Sequence, residues 1–299
     1  MTLYILIREL CWHALIFFIV TAVGYVAAAG GLYWLLYVRR TSRFATETAT
    51  SAIDIWAMVR SDVILSVLSS GIFAVCAALM TTAYRLGYTR LYLQPNQYGW
   101  GYLAASLVLV LVLQDTYFYF THRLSHHPKC YRWLHRGHHQ SKNPTPWTAF
   151  AFDPAEAMLQ AIYLVGATLV IPMHLSVLIA VVLVMTLGAL IHHFGVRLFE
   201  ASAFGRWLGS WMVGTTHHWL HHRKCSVHYS LYFTFWDRVM GTQYQGYEDA
   251  LSPAKVTSIK DIKSSALKSS VPKNTVQKSA VKGAAQKTLP FCRPFKKAS

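Results

Sequence analysis

Acidic residues are scarce in this chain, 12 Asp and Glu against 28 Lys and Arg in 299 residues. No pair of carboxylates is spaced for acid–base work and no Ser/His/Asp set is present, so the common hydrolytic mechanisms lack their residues. Five cysteines are scattered at Cys11, Cys76, Cys130, Cys225 and Cys292, with no CxxC pair. Neither a disulfide framework nor a thiolate zinc site is indicated, and reduced thiols are expected. Charged residues make up only 13% of the chain. The formal net charge of +16 is uneven: the last 49 residues hold ten Lys and Arg293 with one acid, Asp261. A nucleic-acid partner is therefore not expected. No cleavable signal peptide is evident, because the first apolar run is too long for one.

What is abundant is apolar sequence. Hydrophobic residues reach 54% and mean hydropathy is +0.31, which fits several membrane spans rather than a soluble domain. The expected fold is an all-α polytopic membrane protein with four to five transmembrane helices and a helical cap on the cytoplasmic face. Spans are expected at residues 12–37, 61–84 and 101–121, with a polar connection at 41–60. Arg39, Arg40 and Arg43 put the end of the first span in the cytoplasm. Two shorter apolar helices, 154–171 and 174–191, read as a hairpin around Pro172-Met173-His174 that crosses and returns. Residues 199–250, with Trp207, Trp211, Trp219 and Trp236, read as an interfacial cap. The domain expectation is N-terminal spans at 1–100, a histidine-rich catalytic domain at 101–250 and a disordered basic tail at 251–299. The Lys296-Lys297 ending matches a retrieval signal of endoplasmic reticulum membrane proteins.

Twelve of the 15 histidines fall in three places: His122 to His139, His192-His193, and His217 to His222. His122 and His126 are four residues apart. His135, His138 and His139 repeat at i, i+3 and i+4, as do His218, His221 and His222. On a helix each set lies on one stripe. Eight or more imidazoles exceed one tetrahedral ion, so two metals sharing them is the natural reading; imidazole suits iron, copper, nickel and zinc alike. Neutral imidazoles need acceptors that fix their tautomer, and Asp115, Asp153 and Asp237 are the candidates.

The set of motifs resembles the fatty acid hydroxylase/sterol desaturase superfamily, and within it sterol C-5 desaturases. The residues that carry the likeness are Asp115, Tyr119, His122, Arg123 and His126; the run Leu134-His135-Arg136-Gly137-His138-His139; Pro144-Thr145-Pro146; His193 with Gly195; His217 to His222; and Tyr232 through Thr242. They cover roughly residues 100–245. Three positions depart from the family pattern: Asp153 before Pro154, His228-Tyr229-Ser230, and Phe194.

The resemblance implies a non-haem di-iron oxidase that uses O₂ and two electrons on a membrane lipid. Its implied ligands are His122, His126, His135, His138, His139, His193, His218, His221 and His222, with His127, His192, His217 and His228 as further candidates. Tyr119 joins the three aspartates as a supporting residue. The implied substrate is a Δ7-sterol desaturated at C5–C6. Hydroxylation of a fatty acyl chain, a sterol C-4 methyl or an alkylglycerol is the alternative, and a membrane carrier of metal or haem the more distant one. No haem, flavin or fused cytochrome b5 motif is found, so a separate donor such as cytochrome b5 with its reductase is expected. The endoplasmic reticulum is the implied location, with a bacterial inner membrane as alternative.

Overall fold

A computed structural model describes residues 3–39, 52–195 and 202–252. Arg40, Arg43, most of the expected 41–60 connection, the basic tail from residue 253 and the Lys296-Lys297 ending lie outside the described residues. Among the described residues, four helices are long and apolar enough to cross a membrane: Leu3–Val38, Trp56–Arg85, Gly99–Ser125 and Leu175–His192.

The first two run longer than the sequence suggests. Helix α1 (Leu3–Tyr33) continues through a wide π turn, Trp34–Val38. It begins well before Trp12 because Glu9 pairs with Arg85 at the end of α2 (Ala52–Arg85), which neutralises a charge inside the helix. In α2 the apolar run Trp56-Ala57-Met58-Val59 carries helix into the segment expected to be a polar connection.

Helix α3 (Gly99–Ser125) carries His122 inside its last turn. The short helix α4 (Tyr131–Leu134) and two 3₁₀ turns, His138–Gln140 and Pro146–Phe150, follow. Helix α5 (Pro154–Val170) has 17 residues and α6 (Leu175–His192) has 18. Between them β2 (Met173–His174) pairs in parallel with β1 (Leu91–Tyr92), Leu91 opposite Met173 and Tyr92 opposite His174. This clip makes α5 and α6 a hairpin and holds its turn at the end remote from His192. His174 belongs to the clip: its ring bonds Leu93 O at 3.0 Å and accepts from Ser176 N at 3.1 Å, capping α6.

Helix α1 packs along α2, α2 along α5, and α3 along both α5 and α6. Val110, Met173, Val177 and Val181 form a core near the clip. Tyr25, Ala29, Ala149 and Leu190 form a second core at the other end. Val20, Val108, Val112, Leu183 and Leu187 point outward and are exposed, as expected where lipid rather than water surrounds a helix. Within the spans Thr81 and Thr82 hydroxyls donate to the carbonyls of Ala77 and Ala78, so no polar group there lacks a partner at these positions.

Beyond α6 lie α7 (Ala203–Trp211), α8 (Thr215–Lys224), α9 (Phe235–Val239) and α10 (Tyr247–Leu251). Helix α7 buries Gly205 and Gly209 and exposes Phe204, Trp207 and Trp211. Such a division suits a helix lying at a bilayer interface.

Candidate metal centre

The three histidine regions meet at one end of the helices. Two groups form there, in each of which the ring nitrogens lie within 4.8 Å of one another. The first holds His122, His126, His135, His139 and His221; the second holds His138, His193, His218 and His222. These are the nine histidines implied as ligands. All nine are buried, His218 being the most accessible at 7%.

The HxxHH triplets do not lie on single stripes facing one ion. His135 ends α4 as its C-cap and His138 opens a 3₁₀ turn, so no continuous helix carries them. On α8, which is continuous, His221 serves the first group while His218 and His222 serve the second. Consecutive helical residues are turned by about 100°, so His221 and His222 point to different sites, while His218 and His222, one turn apart, share one. Helix α8 and the His135–His139 segment therefore each supply both groups and hold them side by side.

The ring nitrogens are ordered. His122 Nδ1 lies 2.9 Å from Tyr229 O, His221 Nδ1 2.8 Å from Val227 O, His138 Nδ1 3.1 Å from Ala151 O and His193 Nδ1 2.7 Å from Ala189 O. His135 Nδ1 lies 2.7 Å from Glu156 Oε2. A neutral imidazole has one N–H. Spending it on these acceptors leaves Nε2 as a lone pair, and the Nε2 atoms converge: His122 and His135 at 2.9 Å, His139 and His221 at 2.9 Å, His126 and His221 at 3.2 Å. In the second group His193 and His218 stand at 2.9 Å, and His218 and His222 at 3.0 Å. Burial holds His126, His135, His139, His218, His221 and His222 well below the ordinary imidazole range and brings His138 down to about 3. His122 and His135 thus aim lone pairs at each other with no proton to share. A cation between them satisfies both.

Donor number and spacing say which cations fit. Five imidazoles exceed the four of a tetrahedral zinc site. With metal–nitrogen bonds of about 2.1 Å, two donors at a right angle stand about 3.0 Å apart and two tetrahedral ones about 3.4 Å. The nearest pairs, at 2.9 to 3.2 Å, are spaced as donors on one ion are.

The further candidates lie outside both groups. His127 is exposed. His192 is buried with its ring 5.8 Å from that of His218. His217 bonds Asp237 at 3.1 Å, and His228 packs on it at 3.9 Å between centroids and accepts from Tyr244 N.

The aspartates serve backbone rather than ligand rings. Asp115 accepts from Tyr232 N and Phe233 N. Asp153 accepts from Gly137 N at 2.6 Å, and a Cβ on Gly137 would collide with that carboxylate, which accounts for glycine in the Arg136-Gly137-His138 run. Asp237 accepts from Tyr229 N, Ser230 N and Thr242 Oγ1 besides His217. Burial opposes its ionisation, but those donors, His217 foremost, hold its carboxyl far below the carboxylate range. Tyr119 shares a 2.9 Å bond with Thr242, and Trp236 Nε1 donates to Thr116. The Tyr232–Thr242 run is thus a clasp that fixes the Tyr229 carbonyl against His122.

Sequence reasoning missed Glu156. In the first turn of α5 it reads as an acid placed favourably at a helix N-terminus, and 21 residues separate it from His135. The backbone acceptors carry no sequence signal at all.

Against this centre lies an apolar chamber of about 640 Å³. Phe118 and Phe152 form its wall nearest the histidines; their rings lie 4.9 Å from His122 and 5.8 Å from His138. On α6 the chamber runs from Ala189 to Leu175, 14 residues and so about 21 Å.

Residues 107–242 match the fatty acid hydroxylase family model. A Delta(7)-sterol 5(6)-desaturase of Gibberella zeae is 32% identical over 156 residues, covering 52% of this chain and 47% of that protein. The lathosterol oxidase of Mus musculus is 31% identical over 159 residues, covering 52% and 51%. Methylsterol monooxygenase 1 of Rattus norvegicus is 29% identical over 155 residues, covering 51% and 52%. The resemblance drawn from the histidine motifs is borne out by these matches. The chain spans about half the length of the curated relatives it matches, and no solved structure matches it.

Proposed function

We propose, from the match of residues 107–242 to the fatty acid hydroxylase family model, that this chain is a membrane-bound di-iron oxidase that introduces the C5–C6 double bond into a Δ7-sterol. The balance is sterol + O₂ + two electrons + two protons giving the dehydrosterol and two waters. The observation that carries the reading is the convergence of the His122 and His135 Nε2 lone pairs at 2.9 Å, each ring having its Nδ1 committed elsewhere. The nine histidines of the two groups are the proposed ligands.

Iron bound there supplies O₂ activation and the oxidation of an unactivated C–H bond. The protein's part is to hold neutral rings in one tautomer through Glu156 and four backbone carbonyls. It also keeps bulk water away, since every ligand ring is buried. Phe118 and Phe152 present an apolar substrate directly to the centre.

The histidine-bearing end is proposed to face the cytoplasm, in the endoplasmic reticulum. Lys129, Arg132, Arg136, Arg223 and Lys224 are exposed beside the histidines. This basic rim suits an acidic electron carrier such as cytochrome b5. The match to methylsterol monooxygenase 1 favours one second reading, hydroxylation of a sterol C-4 methyl.

Expression in yeast lacking its own C-5 desaturase tests the proposal. Sterol profiling by mass spectrometry is expected to show Δ5,7-sterols with the intact chain and none with His138→Ala. Accumulating Δ7-sterols alongside iron-loaded protein would overturn the desaturase reading, and C-4 hydroxymethyl products would establish the second.

A further inference from the structure

The chamber is almost wholly apolar at the end that meets the histidines; the polar side chains lining it there are Gln160 and the half-buried Thr186. Gln160 lines it, is 8% exposed, and its amide bonds no other described residue. Gln160 stands one turn after Glu156 on α5, on the same face, and Glu156 holds His135. The amide therefore sits about 6 Å along the helix from a residue in contact with a ligand ring. Burying a carboxamide without a partner is costly, and interiors avoid it. An unsatisfied donor and acceptor in an apolar chamber is what a site looks like when the ligand brings the missing group. The threonines further along the chamber differ: Thr21 and Thr81 hydroxyls are spent on the carbonyls of Phe17 and Ala77.

We propose that Gln160 is a substrate-binding residue whose amide hydrogen-bonds the 3-hydroxyl of the sterol, setting which carbon faces the metal centre. The inference rests on the sterol reading above and deepens it. A Δ7-sterol carries its only polar group on C3, two bonds from C5. If C5 and C6 lie against the histidines, the hydroxyl must lie close by, and Gln160 is the buried polar side chain lining that end. The hydrocarbon side chain then extends along α6 toward Leu175. The opposite entry, hydroxyl leading to the far mouth, would leave Gln160 without a partner and place side-chain carbons at the metals.

The test compares two probes, cholest-7-en-3β-ol and cholest-7-ene, which lacks the hydroxyl. Full-length, iron-loaded wild type is assayed beside Gln160→Leu and the closer-fitting Gln160→Met, with iron content measured for each. Wild type is expected to prefer the hydroxylated sterol about tenfold to a hundredfold in kcat/KM, the effect of leaving a buried amide unpaired. Both variants are expected to keep their iron and to lose most of that preference. Preference unchanged in iron-loaded variants overturns the role of Gln160 while leaving the desaturase reading intact. Iron loss in both variants overturns it in favour of a structural role beside Glu156. Wild type that converts neither probe overturns the sterol reading and this inference with it.

Discussion

His138 and His139 are adjacent in the chain and serve different histidine groups, their ring planes crossing at 85° with centroids 5.8 Å apart. The peptide between them is the shortest covalent link between the two proposed metal sites. His221 and His222 on α8 form a second link of the same kind.

Losing either neighbour should therefore empty different sites. His138→Ala and His139→Ala are each expected to lower bound iron from about two per chain toward one and to abolish activity. Mössbauer spectra of the two variants should differ, because the surviving ions have different ligand sets. Identical spectra would show that the histidines act as one site.

Glu156→Gln keeps the size of the side chain and replaces the carboxyl group that stands 2.7 Å from His135 Nδ1 with an amide. Loss of such a partner typically costs ten- to a hundredfold in metal affinity. Iron retention during dialysis against a chelator is the measurement. Retention equal to wild type would remove Glu156 from the site.

The metal-free protein should lose stability in mild acid. Burial lowers the folded-state pKa of His126, His135, His139, His218, His221 and His222, and brings His138 to about 3. In the unfolded chain these groups titrate near 6.5. Below that pH the unfolded chain binds more protons, so stability is intact above about 6.5 and falls as pH drops toward the folded values. Each group contributes up to about 1.4 kcal/mol per pH unit. Thermal melts in detergent at pH 7.5 and 5.5 should show the lower midpoint at 5.5; the reverse order would contradict buried neutral imidazoles.

Gly195→Ala should be among the most damaging single-methyl changes. Gly195 has φ +66, and a Cβ would strike the Tyr37 hydroxyl and the Pro144 carbonyl. Tyr37 also donates to Phe194 O, so displacement would move the segment behind His193. A cost of about 1–3 kcal/mol is expected from the backbone conformation alone, read as a lowered melting midpoint together with reduced iron loading.

Helix spans and histidine motifs were legible because both are local. An apolar stretch must be helical to satisfy its backbone in lipid, and HxxHH spacing is visible in the chain itself. The hairpin of α5 and α6 was legible for a related reason: two apolar helices of 17 and 18 residues meet at Pro172, and the turn there brings His193 back to the end that carries His122. The extensions of α1 and α2 were not, since the Glu9–Arg85 pair that permits one of them joins residues 76 apart.

By itself the sequence determined which residues are available for the chemistry and that they sit at helix ends in an apolar protein. Only the tertiary structure decided how nine histidines divide five to four, because the division depends on which ring of α8 faces which turn of the His135–His139 segment. It alone assigned Asp115, Asp153 and Asp237 to backbone donors and gave His135 to Glu156. It alone left Gln160 without a partner in the chamber. Periodicity reports the face on which a side chain lies; what that face meets is set by packing between segments far apart in the chain, where hydrogen-bond partners are chosen by proximity and burial.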